Sequence, residues 1–391
     1  LRPDILYSPE ILGGTDAFDV TFVATSLQPD ATEASLEVAA GYLMGELEFT
    51  PFLRASAGFR FEDSTQETST FNVANGIGIN DTETIDESYL LPAGTITWNP
   101  VAALQLRVGA SQTITRPQFR ELAGTFFIDP DLNAQLQGNP FLQNTEILNI
   151  DARAEYYFSR GQFATLGFFY KDVDDPIERF NVGDEAGTLT FVNSGEAEIW
   201  GIEAEFEKRF DLAEMFDGGI FDTKELVFIS NYTYTDSEVT PSETVTLSSQ
   251  SGDRVERTNI LIPGHKLQGQ SDHIFNLQLG LEDVDTGSKV TLLFNYASER
   301  TLALGNVEGP NPSDEVIENP PVGLDLVINQ NLDDLLPITS GMELDIAVKN
   351  ILGSDFDAFR DVNLVGGGTE ERPFIEYDRG TIFSFSISKD F

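Results

Sequence analysis

The sequence predicts an all-β fold, a transmembrane antiparallel β-barrel, and three observations carry that expectation. In the last twelve residues Phe383, Phe385, Ile387 and Phe391 fall on one parity, while Ser384, Ser386, Ser388 and Asp390 fall on the other. Side chains along a strand point alternately to its two faces, so one face is oily and the other wet. The same pattern recurs upstream in about 13 segments. The links between those segments alternate between tight turns and long polar loops, an asymmetry expected of membrane barrels, which turn tightly on one side and extend loops on the other.

The segments lie near 34–46, 52–63, 88–98, 103–114, 146–158, 162–173, 196–209, 225–238, 271–283, 288–299, 321–332, 341–351 and 374–391, with Phe18–Ala24 as a weaker addition. Leu104, Leu106, Val108 and Ala110 oppose Gln105, Arg107, Gly109 and Ser111. Leu148, Ile150, Ala152, Ala154, Tyr156 and Phe158 oppose Asn149, Asp151, Arg153 and Glu155. Around Trp200 the wet face becomes a ladder of Glu203, Glu205 and Glu207, with Trp200, Ile202, Ala204 and Phe206 opposite. A dry core would not tolerate that ladder, whereas a water-filled or protein-filled interior does. Phe275, Leu277, Leu279 and Leu281 alternate with Asn276, Gln278, Gly280 and Glu282; a turn at Asp285-Thr286-Gly287-Ser288 then leads to Val290, Leu292, Phe294 and Tyr296. That is a hairpin with one oily face. Trp98, Tyr156, Tyr157, Phe158 and Tyr296 fall near strand ends, where an aromatic girdle sits.

Asn99–Ala102, Ser159–Gln162 and Val284–Gly287 read as the short turns. Asp63–Glu87, Thr115–Thr145, Glu238–Gln270, Arg300–Pro320 and Gly353–Pro373 read as the long loops. Asp129-Pro130, Asn139-Pro140 and Asp175-Pro176 are loop turns. No linker divides the chain, so residues 1–391 read as one barrel domain.

Lys and Arg number 23 against 65 Asp and Glu, for a formal charge of −42. Phosphate binding needs the opposite sign, so nucleic acid is excluded as a partner. With no Cys, neither disulfides nor thiolate metal sites contribute. No run approaches the roughly 18 apolar residues of a membrane helix, while barrel strands carry only alternate apolar residues and give a weak hydropathy signal; the mean hydropathy of −0.16 is compatible with them. The chain opens at Leu1 without initiator Met or leader, which reads as a fragment or as a chain whose signal peptide has been removed.

Sites of chemistry are sparse. His265 and His273 lack further ligands at zinc spacing, and they read as surface or strand-end residues. Asp172, Asp174 and Asp175 are weak candidates for Ca²⁺, without the glycine and closing Glu of an EF-hand. Neither a phosphate loop nor a Ser nucleophile motif is present, so the chain reads as a non-enzyme with no cofactor.

Several phrases, taken in order, carry a family resemblance. Ser111-Gln112-Thr113-Ile114-Thr115-Arg116-Pro117 leads into a long loop, then Gly138-Asn139-Pro140-Phe141-Leu142 and Glu155-Tyr156-Tyr157-Phe158. Phe168-Phe169-Tyr170-Lys171-Asp172, Gly201-Ile202-Glu203, Asn231-Tyr232-Thr233-Tyr234-Thr235, Asn350-Ile351-Leu352 and the terminal Phe391 follow. From about residue 34 onward the chain resembles the C-terminal barrel of TonB-dependent outer-membrane receptors, whose closing strand ends on an aromatic. The resemblance implies a 22-stranded barrel in the outer membrane of a Gram-negative bacterium, closed by an N-terminal plug. It implies energy-coupled import of a ferric siderophore, cobalamin or an oligosaccharide, driven by the TonB–ExbB–ExbD complex acting on a box ahead of the plug.

About 13 or 14 strands are readable, with neither plug nor box, so the chain reads as the C-terminal portion of such a receptor. Arg54, Arg60, Arg107, Asp151, Arg153, Glu155, Glu203 and Glu205 are the expected lumen residues, holding the plug first and contacting cargo second. Thr115–Asn144 and Glu238–Gln270 are the loops expected to touch ligand. Outer-membrane lipid and lipopolysaccharide are the expected surroundings. Two other readings remain: a passive 14-stranded porin, and a structural barrel that anchors an extracellular partner.

Overall fold

The computed structural model describes residues 31–71, 81–129, 134–182, 188–216, 219–249, 253–305, 315–332, 341–363 and 369–389. Phe18–Ala24 and Phe391 lie outside them. The chain starts with a meander of four long strands, β1 (Ala31–Thr50), β2 (Leu53–Phe71), β3 (Asp81–Val101) and β4 (Leu104–Thr115). After a link carrying a short helix at Phe119–Leu122, β5 (Phe126–Asp129) and β6 (Ala134–Gln137), it continues with β7 (Thr145–Ser159) and β8 (Gln162–Asp174). Next come β9 (Ile177–Asn181), β10 (Leu189–Asn193), β11 (Gly195–Asp211), β12 (Lys224–Pro241), β13 (Thr244–Ser248), β14 (Arg254–Thr258), β15 (His273–Asp283) and β16 (Lys289–Ala297). The last elements are β17 (Arg300–Ala303), β18 (Val316–Asn319), β19 (Gly323–Asn331), β20 (Met342–Lys349), β21 (Phe356–Asn363), β22 (Thr369–Tyr377) and β23 (Ile382–Lys389).

Thirteen of these build one sheet in the order β1-β2-β3-β4-β7-β8-β11-β12-β15-β16-β19-β20-β23, and every neighbour in it is antiparallel. The first twelve match the first twelve alternating segments, whereas the last segment, 374–391, takes in the end of β22, a loop strand, as well as β23. Period-2 patterning fixes the register, because a slip of one residue would carry an entire apolar set to the wet face. Phe59, Phe61, Leu90, Ile96, Trp98, Val108, Leu166, Phe168, Phe383 and Phe385 share the apolar face and are exposed, Phe383 at 76% and Phe385 at 68%. An exposed apolar belt of this extent needs a membrane to cover it.

Aromatic rings border that belt twice. Tyr156, Phe158, Phe206 and Phe228 form an edge-to-face chain near the turn side, with centroid spacings of 5.3, 5.9 and 5.7 Å. Toward the loop side Trp200 meets Tyr234 at 5.6 Å and lies across from Tyr170. On β11 the two rows are Trp200 and Phe206, roughly 20 Å apart at strand rise, close to the ~25 Å height of such a belt. Tyr157 does not join the girdle. A register shift between Tyr157 and Ser159 accompanies its turn to the wet face, where its hydroxyl donates to Glu155.

One expected loop is much shorter than its sequence suggested. Within Asp63–Glu87, β2 continues to Phe71 and β3 begins at Asp81. The polar run Ser64–Thr70 pairs in register with β3, so strand continues above the belt with polar side chains on both faces, Ser64, Gln66, Thr68 and Thr70 being buried on one of them. A membrane strand needs only about 9–11 residues, and β1, β2 and β3 have 20, 19 and 21. The other loops carry secondary structure of their own: a sheet β5-β6-β10-β9, a hairpin β13-β14 and a sheet β17-β18-β21-β22. They pack together. One core joins Leu122, Leu136, Leu142, Leu189, Phe191, Ala303, Val316 and Ala358. A second joins Phe180, Val192, Val245, Leu247, Ile260, Leu261 and Leu304. The loop end is therefore a small folded cap resting on the wall.

Candidate ligand-binding site

All eight residues expected in the lumen lie on the polar parity of the wall. Arg54 faces Thr97, Thr97 faces Arg107, Arg107 faces Arg153, Arg153 faces Gly167 and Gly167 faces Glu203, a single row crossing six strands. Arg153 bridges Glu155 and Glu205 at 3.2 Å each, and Arg107 approaches Glu155 at 3.9 Å, so the carboxylates of β7 and β11 are tied to the guanidiniums of β4 and β7. The next row continues from Glu205 through Asn231, Asn276 and Asn295, whose amides hand hydrogen bonds from strand to strand at 2.7 Å. Arg60 pairs with Glu62 at 2.5 Å, and Glu62 also receives Arg116 at 2.7 Å. Asp151 faces Gly109 on β4 and Phe169 on β8.

Above this wall, under the folded loops, lies a cavity of about 540 Å³. Its cationic lining is Arg116 at the end of β4, Lys171 on β8 and Arg179 on β9; Glu121 and Glu178 are its carboxylates. Lys171 donates to Asn149 Oδ1 at 2.6 Å, which points the ammonium inward. Both loops expected to touch ligand contribute, Thr115–Asn144 through Thr115, Gln118 and Glu121, and Glu238–Gln270 through Leu267 and Gln268. Three cations out of 23 in a chain of net charge −42 meet at one cavity. Against them stand the Glu121 and Glu178 carboxylates on the lining and Glu62, which pairs with Arg116 at 2.7 Å.

One edge of the cavity is locked by a buried pair. Glu178 Oε2 lies 3.0 Å from His265 Nε2, with side chains 1% and 2% exposed. Its other oxygen accepts from the Gln268 amide at 2.8 Å. His265 Nδ1 lies 2.7 Å from the Ile262 carbonyl, and the Gln268 side chain accepts from the Arg179 amide at 2.5 Å and donates to the Leu302 carbonyl. Three separate loop segments are thus joined. Burial works against the charged imidazole, but the hydrogen bond and charge of Glu178, with the Ile262 carbonyl and Glu315, outweigh it, so His265 titrates above the ordinary histidine value. The two histidines do not share a site: His273 Nδ1 pairs with the Tyr232 hydroxyl at 2.8 Å. Asp172 and Asp174 fall on the apolar-face parity beyond the girdle, across from Glu198 and Glu196, whereas Asp175 turns away with φ 55°. Among the described residues no three His, Cys, Asp or Glu side chains converge as a metal site.

Lys171, Arg179 and Glu178 were not among the residues expected from sequence; Arg116 falls within Thr115–Asn144, and His265, read as a surface or strand-end residue, is buried instead. Lys171 carried a signal, since it sits on the wet parity of β8. Arg179 and Glu178 carried none, because their strand is a loop element whose orientation depends on the folded cap.

A wall of antiparallel strands with a greasy belt on one face and charged side chains on the other is the architecture of a transmembrane β-barrel. The sequence profile described as "TonB dependent receptor-like, beta-barrel" matches residues 7–351, and the chain belongs to that family, one of receptors and transporters rather than enzymes. Its fold is similar to that of the siderophore receptor PiuA from Acinetobacter baumannii, with a TM-score of 0.58 at 15% identity over 91% of this chain and 43% of that one. The ferric yersiniabactin uptake receptor FyuA from Yersinia pestis gives 0.55 at 13% identity over 92% and 46%. The FrpB iron transporter from Neisseria meningitidis gives 0.54 at 11% over 90% and 46%. The chain therefore spans about half the length of these solved structures. No match was found among curated protein sequences.

Proposed function

We propose that this chain is the barrel portion of a receptor that imports a negatively charged iron chelate, a ferric siderophore, across the outer membrane of a Gram-negative bacterium. The observation that carries the reading is the convergence of Arg116, Lys171 and Arg179 on one cavity beneath the loops of an otherwise strongly acidic protein. Cobalamin and neutral oligosaccharides gain less from three cations in a row than an anionic chelate does. In this reading the loop cap captures ligand and the inner wall seats a plug, Glu203 and Asp151 meeting basic groups on it. Force from the TonB–ExbB–ExbD complex then opens the path, and lipopolysaccharide surrounds the belt.

The sheet itself supports a larger barrel. β1 and β23 both run from the loop side to the turn side, so pairing them directly would be parallel. An odd number of further strands restores antiparallel closure, and nine added to these 13 make 22. An edge left open in lipid would expose unpaired backbone groups.

The test is uptake of iron-55 from ferric siderophores of catecholate, hydroxamate and carboxylate type by a deletion strain carrying the full-length gene. Replacing Arg116, Lys171 and Arg179 together by Ala should raise the ligand Kd by at least a hundredfold while the receptor still reaches the membrane. Uptake that persists without TonB would point to the passive porin reading instead.

A further inference from the structure

Lys208 breaks the pattern of the outer face. On β11 it shares its parity with Trp200, Ile202, Ala204 and Phe206, so it projects from the lipid-facing side of the wall beside the turn-side aromatic row. Its Nζ lies 5.2 Å from the centre of the Phe158 ring and 5.9 Å from that of Phe210. Rings on two sides hold an ammonium in place without neutralising it.

Neighbouring cations at this end of the wall are neutralised. Arg209, the next residue and on the wet face, meets Glu282 at 2.8 Å and Glu225 at 3.3 Å. Lys224, on the same outward parity as Lys208, meets Asp283 at 2.6 Å. Lys208 has no carboxylate partner among the described residues, in a chain where 65 Asp and Glu face 23 Lys and Arg. A charge that faces lipid is costly at mid-membrane, and the cost falls toward the interface, where a long side chain reaches the headgroups. The acceptors at that level are headgroup phosphates, which pair with an ammonium through charge-assisted hydrogen bonds.

Two further observations point the same way. Charge on the outward parity is segregated: Asp172, Asp174, Glu196 and Glu198 stand at the loop side, whereas Lys208, Lys224 and Lys389 stand at the turn side, with Asp283 as the counter-ion of Lys224. The link that follows Phe210, residues 212–223, is long where β1 to β2, β3 to β4 and β7 to β8 turn tightly, and it exposes Met215, Phe216 and Ile220. Apolar side chains displayed beside a lipid-facing belt extend its oily surface. We propose that Lys208, seated between Phe158 and Phe210, binds the phosphate of a phospholipid in the turn-side leaflet, with the acyl chains lying along the oily face toward Ala204 and Ile202.

The full-length protein, purified in detergent and titrated with phosphatidylethanolamine, is read by native mass spectrometry. Wild type should hold one lipid per chain more tightly than the rest. Phosphatidylglycerol, which shares the phosphate, should be held too, and diacylglycerol, which lacks it, should not. Lys208→Gln should raise the Kd of that lipid roughly fivefold or more, the loss of one charge-assisted contact, while Lys208→Arg should keep it within about twofold. Arg209→Gln, one residue away on the wet face, should leave it unchanged, and heat-dependent gel mobility checks that each variant is folded. Three results would overturn the proposal: an unchanged Kd in folded Lys208→Gln, equal retention of diacylglycerol, or full displacement of the lipid by millimolar inorganic phosphate, which would make the place a site for a free anion.

Discussion

Replacing Glu178 by Ala removes the acceptor of two buried donors at once, the His265 ring at 3.0 Å and the Gln268 amide at 2.8 Å. Each unsatisfied buried donor costs about 1–3 kcal/mol. Leaving a buried charge without its partner costs about 3–5 kcal/mol in comparable pairs. These are overlapping accounts of one loss, so the net expectation is about 3–5 kcal/mol, confined to the loop cap because the wall ladders do not depend on the pair. At about 1.4 kcal/mol per factor of ten, local opening should become roughly a hundred to several thousand times more frequent. Hydrogen exchange reads this directly at the Arg179 amide, which donates to Gln268, and at the Leu304 amide, which donates to the Arg179 carbonyl at 2.8 Å. The pH dependence follows from the same pair. His265 is raised in the folded protein, so its contribution is fully present below the unfolded value of about 6.5 and is lost as pH rises through the higher folded value. Protection of the cap should therefore fall on the alkaline side of that window in the wild type, and the dependence should vanish in His265→Gln. Equal exchange in wild type and Glu178→Ala, or loosening spread evenly through the wall strands, would refute the reasoning.

Leu166→Arg places a charge on the exposed apolar face between the two aromatic rows and should cost about 2–4 kcal/mol; Thr165→Arg, one residue away on the wet face, should cost far less, with urea midpoints in lipid vesicles comparing the two. Gly201→Val should be poorly tolerated, because even a Cβ there would lie 2.3 Å from Phe169 Cζ and 2.4 Å from the Tyr234 carbonyl; overpacking of about 1–3 kcal/mol is expected, partly relieved by Phe169→Ala in the same urea series. Arg153→Ala breaks ion pairs to Glu155 and Glu205, but the side chain is 41% exposed, so solvent screening limits the loss to about 1 kcal/mol or less; a larger shift would mean that the lumen network is structurally coupled to the wall.

The wall was legible because one physical constraint, oil outside and water inside, acts on every second residue for thirteen strands. Each strand repeats the test, so Phe383, Phe385 and Ile387 on one side and Ser384, Ser386 and Ser388 on the other leave little freedom of register. The row on the polar face was legible for the same reason: once Arg107 and Arg153 are assigned to the wet parity, antiparallel pairing sets them face to face. Ser64–Thr70 escaped notice because above the belt both faces carry polar side chains, and a polar strand and a polar loop look alike in sequence. The folded cap escaped for a related reason. Val245 and Leu247 alternate with Thr244 and Thr246, yet a five-residue strand inside a long polar stretch gives too short a pattern to stand out.

The cavity beneath the loop cap marks where local pattern stops carrying information. Arg116, Lys171 and Arg179 are 55 and 8 residues apart along the chain, and only the closure of β9 over the end of β4 and β8 brings them to one space. The Glu178–His265 pair, 87 residues apart, helps to hold that closure. Its energetics explain why an acidic protein spends a buried ion pair so near its few clustered cations. Without the pair, β9 would still be held by its hydrogen bonds to β10 and to Leu304 and by Phe180, but Arg179 would lose one of the contacts that fix it at the cavity edge. With it, Arg179 stays at the cavity edge, where the surrounding protein lowers the effective dielectric and an anion feels three cations at once. In the proposed reading capture strength and cap rigidity are therefore one property, and a substitution that loosens the cap should weaken ligand binding even when every lining side chain is intact.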